Sequence, residues 1–238
     1  MKASPSSTRR LRSPIKPSHS VVRDDPLRPD PGFAELYASL PDATDLWPWK
    51  DLALTAKPPV LYLGIGSGRL AVPLHETGIM LVGVDSHPGM LASLRRRLPD
   101  TELILSRIED LHLGRQFDLI IVPSNILCLV ERLRSAANHL AADGSLAFEL
   151  TNPYWLQAGA SQGVRVQSFD GNGARFQVDY TLADGRVVTQ EAEIPLVWPD
   201  EVENWLAIGA GLRLRRMFGR NDAELASSPS FYVVAGRG

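Results

Sequence analysis

A chain of 238 residues with 44% hydrophobic side chains can bury a substantial core as one domain, and its composition excludes a fibre or a membrane span. The 25 Lys and Arg against 27 Asp and Glu leave a formal charge of -2, which gives no overall pull toward nucleic acid or an anionic membrane. One cysteine, Cys128 in the apolar run ILCLV, excludes an internal disulfide, reads as a small core thiol and suits a reducing cytoplasm; five scattered histidines show no metal-ligand spacing, so no metal is expected.

The charge is uneven at the start. Residues 1–23 carry Lys2, Arg9, Arg10, Arg12, Lys16 and Arg23 with no acid, among Ser and Pro, and the spacing predicts a disordered basic arm over residues 1–30. A transit peptide shares this composition, but Pro5, Pro14 and Pro17 would interrupt its amphipathic helix, and no apolar segment follows the cations as a secretory signal requires. Asp30 as N-cap and Pro31 at the first position then predict a helix from Pro31 to about Leu40, stopped by Pro41.

From Pro59 strand and helix patterns alternate: VLYLG, a helix from about Arg69, IMLVGVD, a helix from about Pro88, ELILS, FDLIIVP, a helix over about Glu131–Ala142, then SLAFEL. Gly78 and Gly144 stand where helices should end, and Arg95, Arg96 and Arg97 fall in a last turn, complementing the helix dipole. In RFQVDYTL, Phe176, Val178, Tyr180 and Leu182 alternate with polar residues, and Asp170-Gly171 and Asp184-Gly185 flank the run, so residues 163–196 read as an antiparallel meander. A helix from about Asp200, with Val202, Trp205 and Leu206 on one face, and the strands LRLRRMF and FYVVAG close the chain. The expected class is α/β: a doubly wound, mostly parallel sheet in one domain over 31–238 that carries the antiparallel insertion.

The stretch VLYLGIGSGRL places Gly64, Gly66 and Gly68 where the first core strand turns toward a helix. Glycines there permit positive φ and let a ligand approach backbone amides, and the helix start favours an anion. The spacing is G-x-G-x-G rather than the dinucleotide G-x-G-x-x-G, and a purely structural turn produces it too. Asp85 ends the next strand at the carboxyl edge of the sheet, where it can accept both ribose hydroxyls of a bound nucleoside; as an N-cap for the following helix it would serve equally well.

In order, VLYLGIGSGRLAVPL, VGVDSHPGML, IEDLHLGRQFDLIIVPSNIL, LAADGSLAFELTNP, GLRLRRMFG and FYVVA resemble the class I S-adenosylmethionine-dependent methyltransferases, especially the small-molecule group around the glycine and sarcosine N-methyltransferases, over residues 33–237. The resemblance implies S-adenosylmethionine as cofactor, held by Gly64, Gly66 and Gly68 at its methionine part and by Asp85 at its ribose, with Ile108 and Glu109 along the adenine, Pro123 near the transferred methyl and Tyr37 as a lid tyrosine. It implies a Rossmann-like fold with an antiparallel last strand and the insertion as substrate lid, and methyl transfer by in-line displacement to N, O or C of a small molecule, with Asn125, Asn152 and Tyr154 and the aromatics Trp47 and Trp49 as substrate-facing candidates. Each has a plainer alternative: Ile108 as core, Glu109 as a loop acid, Pro123 as a strand terminator, Tyr37 as a helix anchor, Asn125 as a loop cap, and Trp47, Trp49 and Trp155 as packing under the lid. Tyr62 stands where the family usually has an acid, Arg107 where it often has an aspartate, and Leu129 where close relatives often have a histidine. A methyltransferase-fold scaffold without methyl transfer and a nucleic-acid methyltransferase, the latter supported only by the basic arm, remain as alternative functions.

Overall fold

The computed structural model describes residues 20–25, 27–159, 163–220, 225 and 228–238. In chain order the first half comprises β1 (Ser20–Arg23), α1 (Pro31–Ser39), α2 (Trp49–Leu54), β2 (Val60–Leu63), α3 (Ala71–Glu76), β3 (Leu81–Asp85), α4 (Pro88–Arg97), β4 (Glu102–Leu105), a 3-10 turn (Ile108–Asp110) and β5 (Phe117–Val122). The second half comprises α5 (Val130–Asn138), β6 (Leu140–Thr151), α6 (Pro153–Gln157), β7 (Val164–Phe169), β8 (Gly173–Thr181), β9 (Val187–Pro195), α7 (Val202–Ala210), β10 (Leu212–Gly219) and β11 (Ser230–Arg237).

The main sheet has seven strands in the order β10-β11-β6-β5-β2-β3-β4. Pairing from β6 through β4 is parallel, whereas β11 is antiparallel to β6 and β10 to β11. Both faces of the sheet are covered, so the inner strand β2 is buried throughout: Val60, Leu61, Tyr62 and Leu63 are at most 4% exposed. Leu61 and Leu63 join a core with Leu133 of α5 and Leu206 of α7, while Val60 and Tyr62 join one with Trp49 of α2, Leu74 of α3 and Leu94 of α4. Strand order reverses between β2 and β5, and such a switch point leaves a crevice beyond the carboxyl ends of the strands.

The insertion is an antiparallel sheet of β7, β8 and β9. A fourth strand completes it, because β1 runs parallel to β9 from Ser20 opposite Val188 to Arg23 opposite Glu191. The expectation of a disordered arm through residue 30 therefore fails at its end; residues 1–19 lie outside the described residues. Val22 supplies the reason: it is 5% exposed and packs in a small core with Phe33 and Leu36 of α1, Met90 of α4 and Val188 of β9. That core fastens the insertion to the helices around the crevice.

A second difference lies after α5, which stops at Asn138 rather than near Ala142. Gly144 is no helix end; it sits inside β6, where a Cβ would stand 2.9 Å from the Phe117 carbonyl oxygen. The register slips at this place, with Phe117 opposite Leu140 but Leu119 opposite Ser145, so the glycine admits a bulge at close strand approach. Gly78 does end α3, at φ 89 with its N–H on the His75 carbonyl oxygen at 2.9 Å. Arg95, Arg96 and Arg97 occupy the last turn of α4.

Candidate active site

The turn after β2 folds back onto the tip of β3. Gly64 and Ile65 donate their N–H groups to the Val84 carbonyl oxygen at 2.8 and 3.0 Å, and Gly66 donates to Asp85 Oδ2 at 2.8 Å. Glycine is required by both conformation and space: Gly64 has φ 74, and a Cβ on it would lie 2.2 Å from Ile126 Cδ1. Gly68, at φ 93, would place one 2.4 Å from Leu94 Cδ1.

Asp85 is the hinge of the site. Its Oδ1 accepts the His87 N–H at 2.8 Å while Oδ2 holds Gly66, so one carboxylate ties the glycine turn to the entrance of α4. A carboxylate offers about four acceptor positions, and two remain for a pair of vicinal hydroxyls. Burial pushes its carboxyl above the ordinary aspartate range, and the His87 and Gly66 amides oppose that rise by favouring the anion. The N-cap alternative belongs to His87 instead: its Nδ1 accepts the Gly89 N–H at 3.2 Å, which assigns the ring proton to Nε2, 2.9 Å from the Asp30 carbonyl oxygen.

Tyr37 bridges α1, the glycine turn and the insertion. Its carbonyl oxygen accepts the Ser67 hydroxyl at 3.1 Å, its own hydroxyl donates to Gln190 of β9 at 3.0 Å, and its ring packs on Phe33 with centroids 4.7 Å apart. Asp24, carried in behind β1, is open to solvent yet enclosed enough that burial and the neighbouring Asp85 raise its carboxyl, with Arg132 and His87 opposing. The charges of Asp24 and Asp85 thus reach one another.

The remaining sequence candidates separate. Pro123 follows β5, the strand beside β2, and so borders the crevice. Ile108 is 7% exposed and packs into the core with Leu133 of α5. Glu109 is held by Arg107 at 2.7 Å and Arg132 at 3.4 Å; burial acts to raise its carboxyl, but the Arg107 hydrogen bond and the two cations leave it lowered. Asn125 was expected to orient a substrate through its carbonyl oxygen, but that oxygen accepts the Thr151 N–H at 2.9 Å, and the buried Nδ2 is the atom without a partner among the described residues.

Asn152 does not face a substrate. It is fully buried, caps α6 through the Tyr154 N–H at 3.1 Å and donates to the Leu225 and Ser228 carbonyl oxygens, so its amide is spent on holding the loop before β11. Tyr154 turns toward the end of the insertion, donating to Asp200 at 2.7 Å and packing its ring on Trp198. Trp47 and Trp49 do pack, but on Tyr232 of β11 rather than under the lid. A cavity of about 390 Å³ on the insertion, lined by Phe169, Asp170, Arg175 and Glu193 among others, contains none of the candidates.

Sequence reasoning passed over Asp24, Arg132, Ser124 and Glu149. Ser124, at φ 93, is the one non-glycine residue with positive φ among the described residues, and its N–H donates to Glu149 Oε2 at 3.3 Å. The local signal for this bend was present in PSNIL; the partner, 25 positions away, was not.

Residues 60–144 match the family model of a methyltransferase domain. The cypemycin N-terminal methyltransferase of a Streptomyces species is 30% identical over 139 residues, covering 55% of this chain and 52% of that protein. The chain spans about half the length of the curated relatives it matches. Among solved structures, an S-adenosylmethionine-dependent methyltransferase from Clostridium acetobutylicum superposes with TM-score 0.69 at 18% identity, over 87% of this chain and 98% of that one. The sugar N-methyltransferase KedS8 from a Streptoalloteichus species gives TM-score 0.63 at 19% identity, over 87% and 93%. No helix among the described residues is long and apolar enough to cross a membrane. Residues 60–144 thus resemble a methyltransferase domain, and the chain as a whole shares the fold of S-adenosylmethionine-dependent methyltransferases of known structure.

Proposed function

We propose that the chain transfers a methyl group from S-adenosylmethionine to a nucleophilic N, O or C of a small molecule in the cytoplasm. The observation that carries this reading is the 2.8 Å hydrogen bond between Gly66 N–H and Asp85, which sets the glycine turn and the strand-end carboxylate side by side at the switch point. The residues fit an adenosine-bearing cofactor: Asp85 retains acceptor capacity for two ribose hydroxyls, and the backbone of the glycine turn lies directly beside that carboxylate. Similarity to proteins named as a cypemycin N-terminal methyltransferase and as a sugar N-methyltransferase supports a small acceptor. The lone thiol, buried at Cys128, fits a reducing compartment.

When bound, the cofactor supplies an already activated sulfonium methyl. The task left to this chain is alignment and exclusion of water. Asp85 and the glycine turn fix one partner, while Tyr37 and the insertion cover it from the side of α1. Orientation of this kind contributes roughly 7–11 kcal/mol to barrier lowering, against about 10²–10⁴-fold for a general base, so positioning is the larger effect and Leu129 in place of a histidine does not remove activity. Isothermal titration with S-adenosylmethionine and mass spectrometry of the purified protein test the reading: heat of binding, or co-purified S-adenosylhomocysteine, is expected. No heat at millimolar cofactor would leave a scaffold without methyl transfer.

A further inference from the structure

On the α2 face of the main sheet, three polar side chains converge at the strand ends with unmet bonding capacity. Tyr62 pairs with Ile121 of β5, Ile121 with Ala147 of β6, and two residues further along β6 Glu149 pairs with Tyr232 of β11. Cross-strand partners share a face and a period of two preserves it, so Tyr62, Glu149 and Tyr232 point to the same side. Tyr62 and Tyr232 are each 4% exposed, and neither hydroxyl has a hydrogen-bond partner among the described residues. Glu149 is half-buried; it accepts the Ser124 N–H at 3.3 Å and has no cation within 4 Å among the described residues. Burial holds both phenols in the protonated form, and the charge of Glu149 reaches each of them, alongside that of Asp85 at Tyr62.

The described cations whose charge reaches these phenols are held by other groups. Arg69, whose charge reaches Tyr62, donates to the Pro41 carbonyl oxygen at 2.8 Å, and Arg220, whose charge reaches Tyr232, is bound to Asp45 at 3.1 Å. The wall beside Glu149 is aromatic: the Tyr232 ring lies 5.2 Å from Trp47, 5.8 Å from Trp49 and 5.6 Å from Phe218, whose ring also carries the Arg216 guanidinium 4.4 Å from its centroid, so Trp47, Trp49 and Tyr232 supply the ring surface for a further cation. A half-buried carboxylate rejects anions, ring faces favour cations, and phenolic oxygens accept what an ammonium donates.

We infer that Glu149, with Tyr62 and Tyr232, receives an alkylammonium group at the ends of β2, β6 and β11. The site borders Pro123 and Ser124, so it deepens the methyl-transfer reading and rests on that reading for its link to chemistry. Two sources present this group: the amino-acid part of the cofactor, and an acceptor amine.

The test titrates wild type, Glu149→Gln and Tyr62→Phe with S-adenosylhomocysteine, with 5′-methylthioadenosine, which lacks the amino-acid part, and with benzylamine both alone and beside saturating S-adenosylhomocysteine. Loss of about tenfold or more in S-adenosylhomocysteine affinity in Glu149→Gln, with 5′-methylthioadenosine unchanged, assigns the site to the cofactor's amine. Unchanged S-adenosylhomocysteine with benzylamine binding lost by a similar factor assigns it to an acceptor amine. Tyr62→Phe, which removes one hydroxyl and keeps the packing, should lose about two- to tenfold in the same arm. If S-adenosylhomocysteine binds both Glu149 forms equally and no benzylamine binding depends on Glu149, the inference is overturned. Failure of wild type to bind either adenosine compound would instead sink the methyl-donor reading, and the benzylamine arm would still decide this site.

Discussion

Asp85 holds one amide on each side of the groove and keeps two acceptor positions open, which makes it the residue where ligand affinity should be most sensitive. Asp85→Ala should weaken S-adenosylmethionine binding by about 1–3 kcal/mol, since either the hydroxyls or the amides lose their partner. Unchanged affinity in a folded variant would show that the ribose does not lie there. Asp24 shows the cost of a second carboxylate whose charge reaches Asp85. Its folded-state pKa is raised, mainly by burial, so the ionised form is disfavoured in the native state. The associated stability is fully present below the ordinary value of 3.8 and is lost as pH rises through the raised one. Asp24→Asn should therefore unfold at higher temperature than wild type at pH 7, without ligand, and the gap should close as the pH is lowered toward 3.8. A gap independent of pH would mean that Asp24 is ordinary. Ser124 is a third sensitive point: a serine at φ 93 is strained, and Ser124→Gly should stabilise by about 1 kcal/mol, read as roughly 2–4 °C in melting temperature.

At the scale of elements, the insertion is fastened through β1 and α1. Phe33, Leu36 and Val22 bury their side chains against Met90 and Val188, and Tyr37 carries the contact on to Ser67 in the glycine turn. The helix α1 was legible in the sequence because Asp30 and Pro31 are local signals, and Asp30 does accept the Gly32 N–H at 2.9 Å. The strand β1 was not, because two valines at the end of a basic run say nothing alone; their partner strand lies about 168 positions downstream, as the Arg23–Glu191 contact shows. Gly144 misled for the same reason, since its role depends on Phe117 across the sheet. The difference is measurable by truncation. Removing residues 1–19 should leave any small-molecule activity unchanged, and loss of activity there would point to a macromolecular substrate. Extending the cut through Arg23 exposes the Val22 pocket and should cost about 1.5–3 kcal/mol in denaturant unfolding, with amide exchange accelerated along β9. The Arg23–Glu191 ion pair adds little to that figure, because the arginine side chain is 70% exposed.

For the whole molecule, the parallel half was readable because buried parallel strands are continuous apolar runs, and their ends bring the glycine turn, Asp85 and Pro123 to one crevice by topology alone. What surrounds the crevice was less readable, since Asp24, Arg132 and Glu149 arrive from three separate elements or loops. That arrangement has a thermodynamic consequence. A ligand held between β2, β3 and the α1 side contacts groups that come together only in the native state, so it should bind the folded chain and not the unfolded one. Linkage then requires stabilisation of about 2.7 kcal/mol when free ligand is a hundred times its dissociation constant. For a domain of this length that corresponds to a rise of roughly 5–10 °C in melting temperature with S-adenosylhomocysteine. Gly64→Ala, which would set a Cβ 2.2 Å from Ile126 Cδ1 at φ 74, should lower the ligand-free melting temperature and reduce the ligand-induced rise, because the turn must shift to accommodate it. An undiminished rise in that variant, measured calorimetrically at the same ligand concentration, would place the ligand elsewhere than against the glycine turn.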